Sequence, residues 1–397
     1  MKTDPRPRLR PSVAELRGQR LPSAGCLVAV LAGAFACWSG ICGGELAAQQ
    51  GAFPATPSAP PELHCLDGAS ASRAIVDDTD DQFFARLRHL EIAAMTKTSQ
   101  RDRSLDEARL FARRYFAGST RDFTAEEQAT LHWLIGEIHR RLEPYHFFLA
   151  RPWSIMKVQG DLCGGFSFTR GDHIVLGEKN IRKLVQTKRE DPAASIRQFG
   201  SLLVHERMHV LQRRHAEKFR PLYEQYLGWR YSNVVMLDEF DQKQIANPDG
   251  QDENWVVSMP GEPSAELPAR AGGATSFWLG TVLANGVELP RMGADFVNVA
   301  VPLVPQPRGG FSMKTDDNGH VILIPWTELP QLGRHFPVAM GWDHPHEMSA
   351  RMCEALMRDR LTSSPERPAD DAQHIRELAK LYPSASLAFA WLAENLK

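Results

Sequence analysis

The chain has 397 residues, 46 basic and 48 acidic side chains, and so a formal charge of 46 − 48 = −2. Hydrophobic residues make up 43% of it, enough for a sizeable buried core and too many for a disordered or fibrous chain. Beyond the N-terminal segment there is no long basic stripe, so the electrostatic footprint of a nucleic-acid partner is missing.

Residues 1–48 have the layout of an export segment. Lys2, Arg6, Arg8, Arg10, Arg17 and Arg20 make a basic start. Cys26 to Gly44 is then a run of 19 residues without charge, and Leu46-Ala47-Ala48 is a tolerable cleavage site. The same apolar run, residues 26–44, is long enough to be a retained membrane anchor instead. Residues 49–74 are expected to form a Pro- and Ala-rich tether, and residues 75–397 a single domain. Three cysteines follow the export segment: Cys65, Cys163 and Cys353. An exported compartment permits disulfides. Cys65 and Cys163 lie in glycine-containing, loop-like surroundings and are expected to pair, whereas Cys353 falls in a helical pattern and reads as a small core residue.

Residues 78–150 read as helical scaffold. Ser104 with Glu107, and Thr124 with Glu127, have the spacing of capping boxes. Phe166 to Leu176 then alternates around Arg170-Gly171-Asp172 and predicts a β-hairpin. Asp191-Pro192 opens the next helix, expected over about residues 192–219, with Asp191 capping free amides and Pro192 at the first helical position.

In the middle of that helix stands His205-Glu206-Arg207-Met208-His209. Residues four apart share a helix face, so both imidazoles can reach one metal ion, and Glu206 is placed beside it. Residues 221–340 read as a β-rich insertion. Asn247-Pro248-Asp249-Gly250 marks a strong turn, residues 275–326 read mostly as strands, and Asn318-Gly319 is a hairpin signal. A further helix starts at Asp343-His344-Pro345-His346-Glu347, and residues 371–394 are expected to form a final one.

The HExxH run resembles the metal helix of the zincin metallopeptidases, whose pattern is two histidine ligands and a glutamate that works on a metal-bound water. A catalytic zinc takes three protein ligands and keeps one position open. His215 sits where metzincins carry their third histidine, but Gln212 occupies the position of the glycine that lets their chain turn. On a continuing helix His215 would lie about 240° round from His209, facing away from the metal. Arg213-Arg214-His215-Ala216-Glu217-Lys218 reads as a solvated face. The glutamate-zincins, the thermolysin-like clan, take the third ligand from a second helix. That resemblance implies Glu347 here, with Glu354 orienting a ligand histidine, and an edge strand for substrate at residues 173–176. His344-Pro345 to Ala350, and residues 247–255, also resemble segments of some secreted bacterial metallopeptidases. Against the clan's pattern, Glu347 follows His209 by 347 − 209 = 138 residues, a gap that the insertion would have to fill. Asp238, Glu239, Asp241, His344 and His346 stay open as alternative ligands, and Tyr231, His320 and His344 as stabilisers of an oxyanion.

The expectation is therefore an α+β, zincin-like domain: an exported, zinc-dependent enzyme hydrolysing peptide bonds of a peptide or protein substrate. His205, His209 and Glu347 would hold zinc, with Glu206 as general base. An exported protein that keeps zinc only for structure is a second reading, and a zinc amidase acting on cell-wall material a third.

Overall fold

The computed structural model describes residues 61–245, 249, 254–260, 275–284, 287–329, 343–363 and 370–397. The expected export segment or anchor, and the tether up to residue 60, lie outside the described residues. Residues Pro61–Lys397 form one compact unit of mixed α and β structure. Among the described residues no helix is long and apolar enough to cross a membrane.

The first half builds a small sheet between two layers of helix. Its strands are β1 (Leu63–Cys65), β2 (Thr120–Arg121), β3 (Trp153–Val158), β4 (Phe168–Arg170) and β5 (His173–Gly177), in the order β1-β3-β5-β4 with β2 also on β3. The pleat sends alternate residues to opposite faces. Trp153, Ile155, Ile174 and Leu176 face one core, and Met156, Val158, Phe168 and Val175 the other. The second core is closed by α1 (Gly68–Ile75), α2 (Phe83–Arg86), α3 (His89–Thr96) and α4 (Leu105–Gly118). The first is closed by α5 (Ala125–Arg141) and the helices that carry His205, His209 and Glu347. Both expected capping boxes form: Ser104 and Thr124 accept from the amides of Glu107 and Glu127, whose carboxylates accept in return from the amides of Ser104 and Thr124.

Several expectations are corrected. Residues 61–74 are not tether, since β1 and α1 lie there. β1 pairs with β3 in parallel, and Asp67 caps α1 through the amide of Ser70. Cys65 and Cys163 are not bonded. In the parallel pair Cys65 is opposite Ile155 and packs on that residue's face, whereas Cys163 lies in the core on the other face. The sheet itself separates them. Residues 173–176 do form a hairpin with β4, but as an interior strand between β3 and β4, so the edge is β4.

Beyond α6 (His146–Leu149), α7 (Glu178–Glu190) and α8 (Pro192–Ser195), a π turn at Ile196–Gly200 leads into α9 (Ser201–Arg214). The expected helix over 192–219 ends early. His215 leaves helical geometry, at φ −130 and ψ 40, and a new helix, α10 (Ala216–Pro221), starts beyond it. The break turns the chain so that Phe219, Leu222 and Tyr223 enter the core. Pro221 does not stop the helix, because a π turn at Leu222–Tyr226 continues it.

The insertion is a second sheet of seven strands: β6 (Trp229–Tyr231), β7 (Val234–Val235), β8 (Trp255–Pro260), β9 (Thr275–Ala284), β10 (Phe296–Pro305), β11 (Phe311–Met313) and β12 (Ile324–Pro325). Their order is β6-β8-β9-β10-β11-β7, with β12 on β10, and Val256, Leu279, Val299, Val301 and Phe311 form their own core. A short α11 (Asp238–Asp241) sits between β7 and β8. The Asn318-Gly319 turn is closed by Asp316, which accepts from the amides of Asn318 and His320. Among the described residues three helices follow: α12 (Pro345–Thr362), α13 (Asp371–Leu381) and α14 (Ser386–Asn395). The single helix expected over 371–394 is thus two, interrupted at Tyr382-Pro383, since Pro383 carries no amide hydrogen to continue the ladder.

Candidate metal centre

Two helices carry the group. Asp191 accepts from the amide of Ala194 at 2.9 Å and starts the run into α9. His344 Nδ1 accepts from the amide of His346 at 3.2 Å, and Pro345 takes the first position of α12. The two helices pack side by side. One turn of α9 carries His205 and His209, and the first turn of α12 presents Glu347 to both.

His205 Nε2 and His209 Nε2 lie 3.1 Å apart. Glu347 Oε2 is 3.5 Å from His205 Nε2, and Glu347 Oε1 is 3.4 Å from His209 Nε2. Ligand atoms held at about 2.0–2.1 Å round a tetrahedral zinc stand roughly 3.3 Å from one another. The three side chains therefore suit a metal ion in both donor chemistry and spacing, and their ligand atoms all lie within 4.8 Å. Burial opposes charge on His209, but Asp249 and Glu347 outweigh it and raise its pKa. Burial likewise opposes ionisation of Glu347, yet His209 and His205 hold it well below the usual carboxylate range.

His209 is fixed by Gln212, which is fully buried. The Gln212 amide nitrogen donates to the carbonyl of His346 at 3.0 Å and to Ser349 Oγ at 2.7 Å. Ser349 in turn donates to the carbonyl of Pro345 at 2.7 Å. Since the His346 carbonyl can only accept, the amide oxygen of Gln212 faces His209 Nδ1, at 2.9 Å. Nδ1 then carries the proton, and the Nε2 lone pair points into the group. The same side chain ties α9 to α12. His205 has no such clamp: its Nδ1 is buried without a hydrogen bond, and Glu354 Oε2 is 3.9 Å away.

Glu206 lies beside the group with 3% of its surface exposed, and its Oε2 makes no hydrogen bond. Burial, with Asp249 and Glu347 adding to it, pushes its pKa well above the ordinary carboxylate value. The cleft it lines has a volume of about 450 Å³. One wall is Gln198 of the π turn with Ser201, Leu202, His205 and Glu206 of α9, one a charged stripe of α12 and one the segment leading into β4.

The other expected residues fall elsewhere. His215 packs against Phe147, ring centroids 5.0 Å apart and the rings tilted, and takes no part in the group. Among the described residues the group does not include Asp238, Glu239, Asp241, His344 or His346. Tyr231 is 52% exposed and meets Trp255 edge to face, His320 is in the 316–320 turn, and His344 meets His346 edge to face; none of them lines the cleft. Arg213, expected on a solvated face, is buried, with 4% of its side chain exposed. It donates to Thr169 Oγ1 and approaches Asp249 at 3.8 Å. Of the Asn-Pro-Asp-Gly turn only Asp249 is described. It accepts from the amide of Thr169 at 2.7 Å and from its hydroxyl at 2.6 Å, so it binds β4 to the cleft wall. Sequence reading missed Gln212 and Ser349. The signal for Gln212 was an amide on the apolar metal helix, three residues past a ligand.

No family model, curated protein or solved structure matches this chain.

Proposed function

We propose that the protein is an exported zinc metallopeptidase with a zincin-like catalytic domain. The observation that carries this reading is a buried carboxyl without a partner, Glu206, next to two imidazoles and a carboxylate that converge on one point in an open cleft. A purely structural zinc favours four protein ligands. Among the described residues the group has three, and neither His344 nor His346 joins them, which supports the catalytic reading over the structural one. The basic and then apolar N-terminal segment supports export.

His205, His209 and Glu347 would hold the ion. Bound there, zinc supplies a Lewis acid that polarises a carbonyl and acidifies water. Glu206 would accept a proton from the attacking water as the C–O bond forms, and deliver it to the amine nitrogen as the C–N bond then breaks. Gln212 keeps the His209 lone pair directed at the ion. The test is a pair of measurements on purified protein. About one zinc per chain is expected, and Glu206→Gln should keep that zinc while peptide hydrolysis falls roughly 10²–10⁴-fold. A metal-free protein at neutral pH, or a variant as active as the parent, would refute the reading.

A further inference from the structure

The edge of the first sheet is β4, and an edge strand ordinarily presents a row of unpaired N–H and C=O groups to which a peptide can add as a further strand. This edge has no such row. Phe168, Thr169 and Arg170 are buried, at 1%, 0% and 0% exposure. In the β4–β5 hairpin Thr169 stands opposite Ile174 and Arg170 opposite His173. Hydrogen-bonded and open pairs alternate along an antiparallel ladder. The Thr169 amide bonds outside the hairpin, so Thr169 is the β4 residue that turns its main-chain groups away from β5.

Both of those groups are taken. The Thr169 N–H donates to Asp249 Oδ1 at 2.7 Å, and its carbonyl accepts from Arg213 Nη2 at 3.4 Å. The Thr169 hydroxyl donates to the same Asp249 oxygen at 2.6 Å and accepts from Arg213 Nη1. Arg213 and Asp249 approach each other at 3.8 Å, so the two charges hold one another as well as the strand. The pair is assembled from distant parts of the chain. Arg213 is on α9, four residues after His209, and Asp249 comes from the insertion, 80 residues beyond Thr169. Asp249 lines the cleft with Phe168, His205, Glu206 and Glu347. Its carboxylate therefore stands where the backbone carbonyl of an added strand would accept from Thr169.

We infer that Asp249 is a specificity-determining residue: with Arg213 it closes β4 to strand addition, and the cleft takes short peptides or chain ends rather than the interior of an extended chain. The inference rests on the metallopeptidase reading for the word peptide, but the closure can be read without turnover. Two peptide hydroxamates, of two and of six residues, would be compared for binding to zinc-loaded protein. The parent should bind the two within about twofold of each other. Asp249→Ala exposes the Thr169 N–H and should bind the longer compound about tenfold more tightly than the shorter, the gain from one or two main-chain hydrogen bonds. Asp249→Asn removes the charge but keeps an acceptor for Thr169, and should behave as the parent does. Where Asp249→Ala fails to fold because Arg213 is left buried and alone, Arg213→Met combined with Asp249→Ala removes both charges together and is read in the same way. A parent that favours the longer compound tenfold, equal length dependence in parent and Asp249→Ala, Asn and Ala variants that behave alike, or binding of neither compound would overturn the closure. The expected pattern in a protein that cleaves no peptide would keep the closure and sink the peptidase reading.

Discussion

Two clusters of buried charge among the described residues are treated differently. Arg170 is fully buried, donates to Asp81 at 2.5 Å and to the carbonyl of Asp77 at 2.6 Å, and lies over the Phe83 ring at 4.5 Å. Asp78, 3.4 Å from Arg170, is held also by Arg113 at 2.6 Å and by the amide of Phe84 at 3.0 Å. Each charge in that network has its opposite. At the metal group the reverse holds: Glu206 Oε2 and His205 Nδ1 are buried without hydrogen bonds, and two imidazole nitrogens face each other. Unpaired buried polar atoms cost stability. The first cluster contributes to the fold, whereas the second is a group that could hold a metal ion.

Four substitutions can break or sharpen that contrast. Removing one member of the complete network should cost most: Arg170→Ala leaves Asp81 buried and unpaired, an expected loss of about 3–5 kcal/mol in chemical denaturation. If unfolding were unchanged, the network would not be holding the fold. In the incomplete cluster the fold should tolerate change while metal binding does not. Glu347→Ala should weaken zinc by more than about 100-fold in chelator competition, beyond the range for residues that only support a ligand, and His215→Ala should leave it alone. The reverse order would return the third ligand to His215, just past α9. Gln212→Leu is expected to weaken zinc by about 10–100-fold, the usual range for a group that orients a ligand histidine. A metal affinity equal to the parent's would free His209 from any need of its clamp.

The smallest effect concerns His139, which accepts from the Trp153 indole at 2.9 Å. Burial, with help from Arg207, lowers its pKa from 6.5 to about 4. A depressed folded pKa means that the unfolded chain binds the proton first. The associated stability is present above about pH 6.5 and is lost as pH falls toward about 4. Because the ring is partly exposed, the effect is on the order of 1–2 kcal/mol after screening. His139→Gln keeps an acceptor for Trp153 without titrating, so its stability should fall less steeply through that window. Parallel acid limbs in the two proteins would clear His139 of the dependence.

What the sequence made legible was local. The two capping boxes, the caps of α8 and α12, and the hairpin around Gly171 each depend on residues within a few positions of one another. The His205–His209 pair is legible for the same reason. Glu347 needed the resemblance, since nothing in its own neighbourhood marks it as more than an acidic first-turn residue. The misreadings were matters of partnership across the chain. The face of the sheet that Cys65 occupies depends on pairing with β3, 90 residues on. Arg213 looks solvated beside Arg214 until Asp249 and Thr169 are brought to it. The break at His215 follows from the need of Phe219, Leu222 and Tyr223 to reach the core.

The distance between the ligands has a consequence of its own. A chain threaded from its N-terminus presents His205 and His209 long before Glu347, which follows 138 residues after His209. Until the whole β-rich stretch has passed and its end has docked on α9, the group is one donor short. Metal-binding competence is therefore a late event, coupled to completion of the fold. A half-made copy carries two histidines on a helix and no finished group.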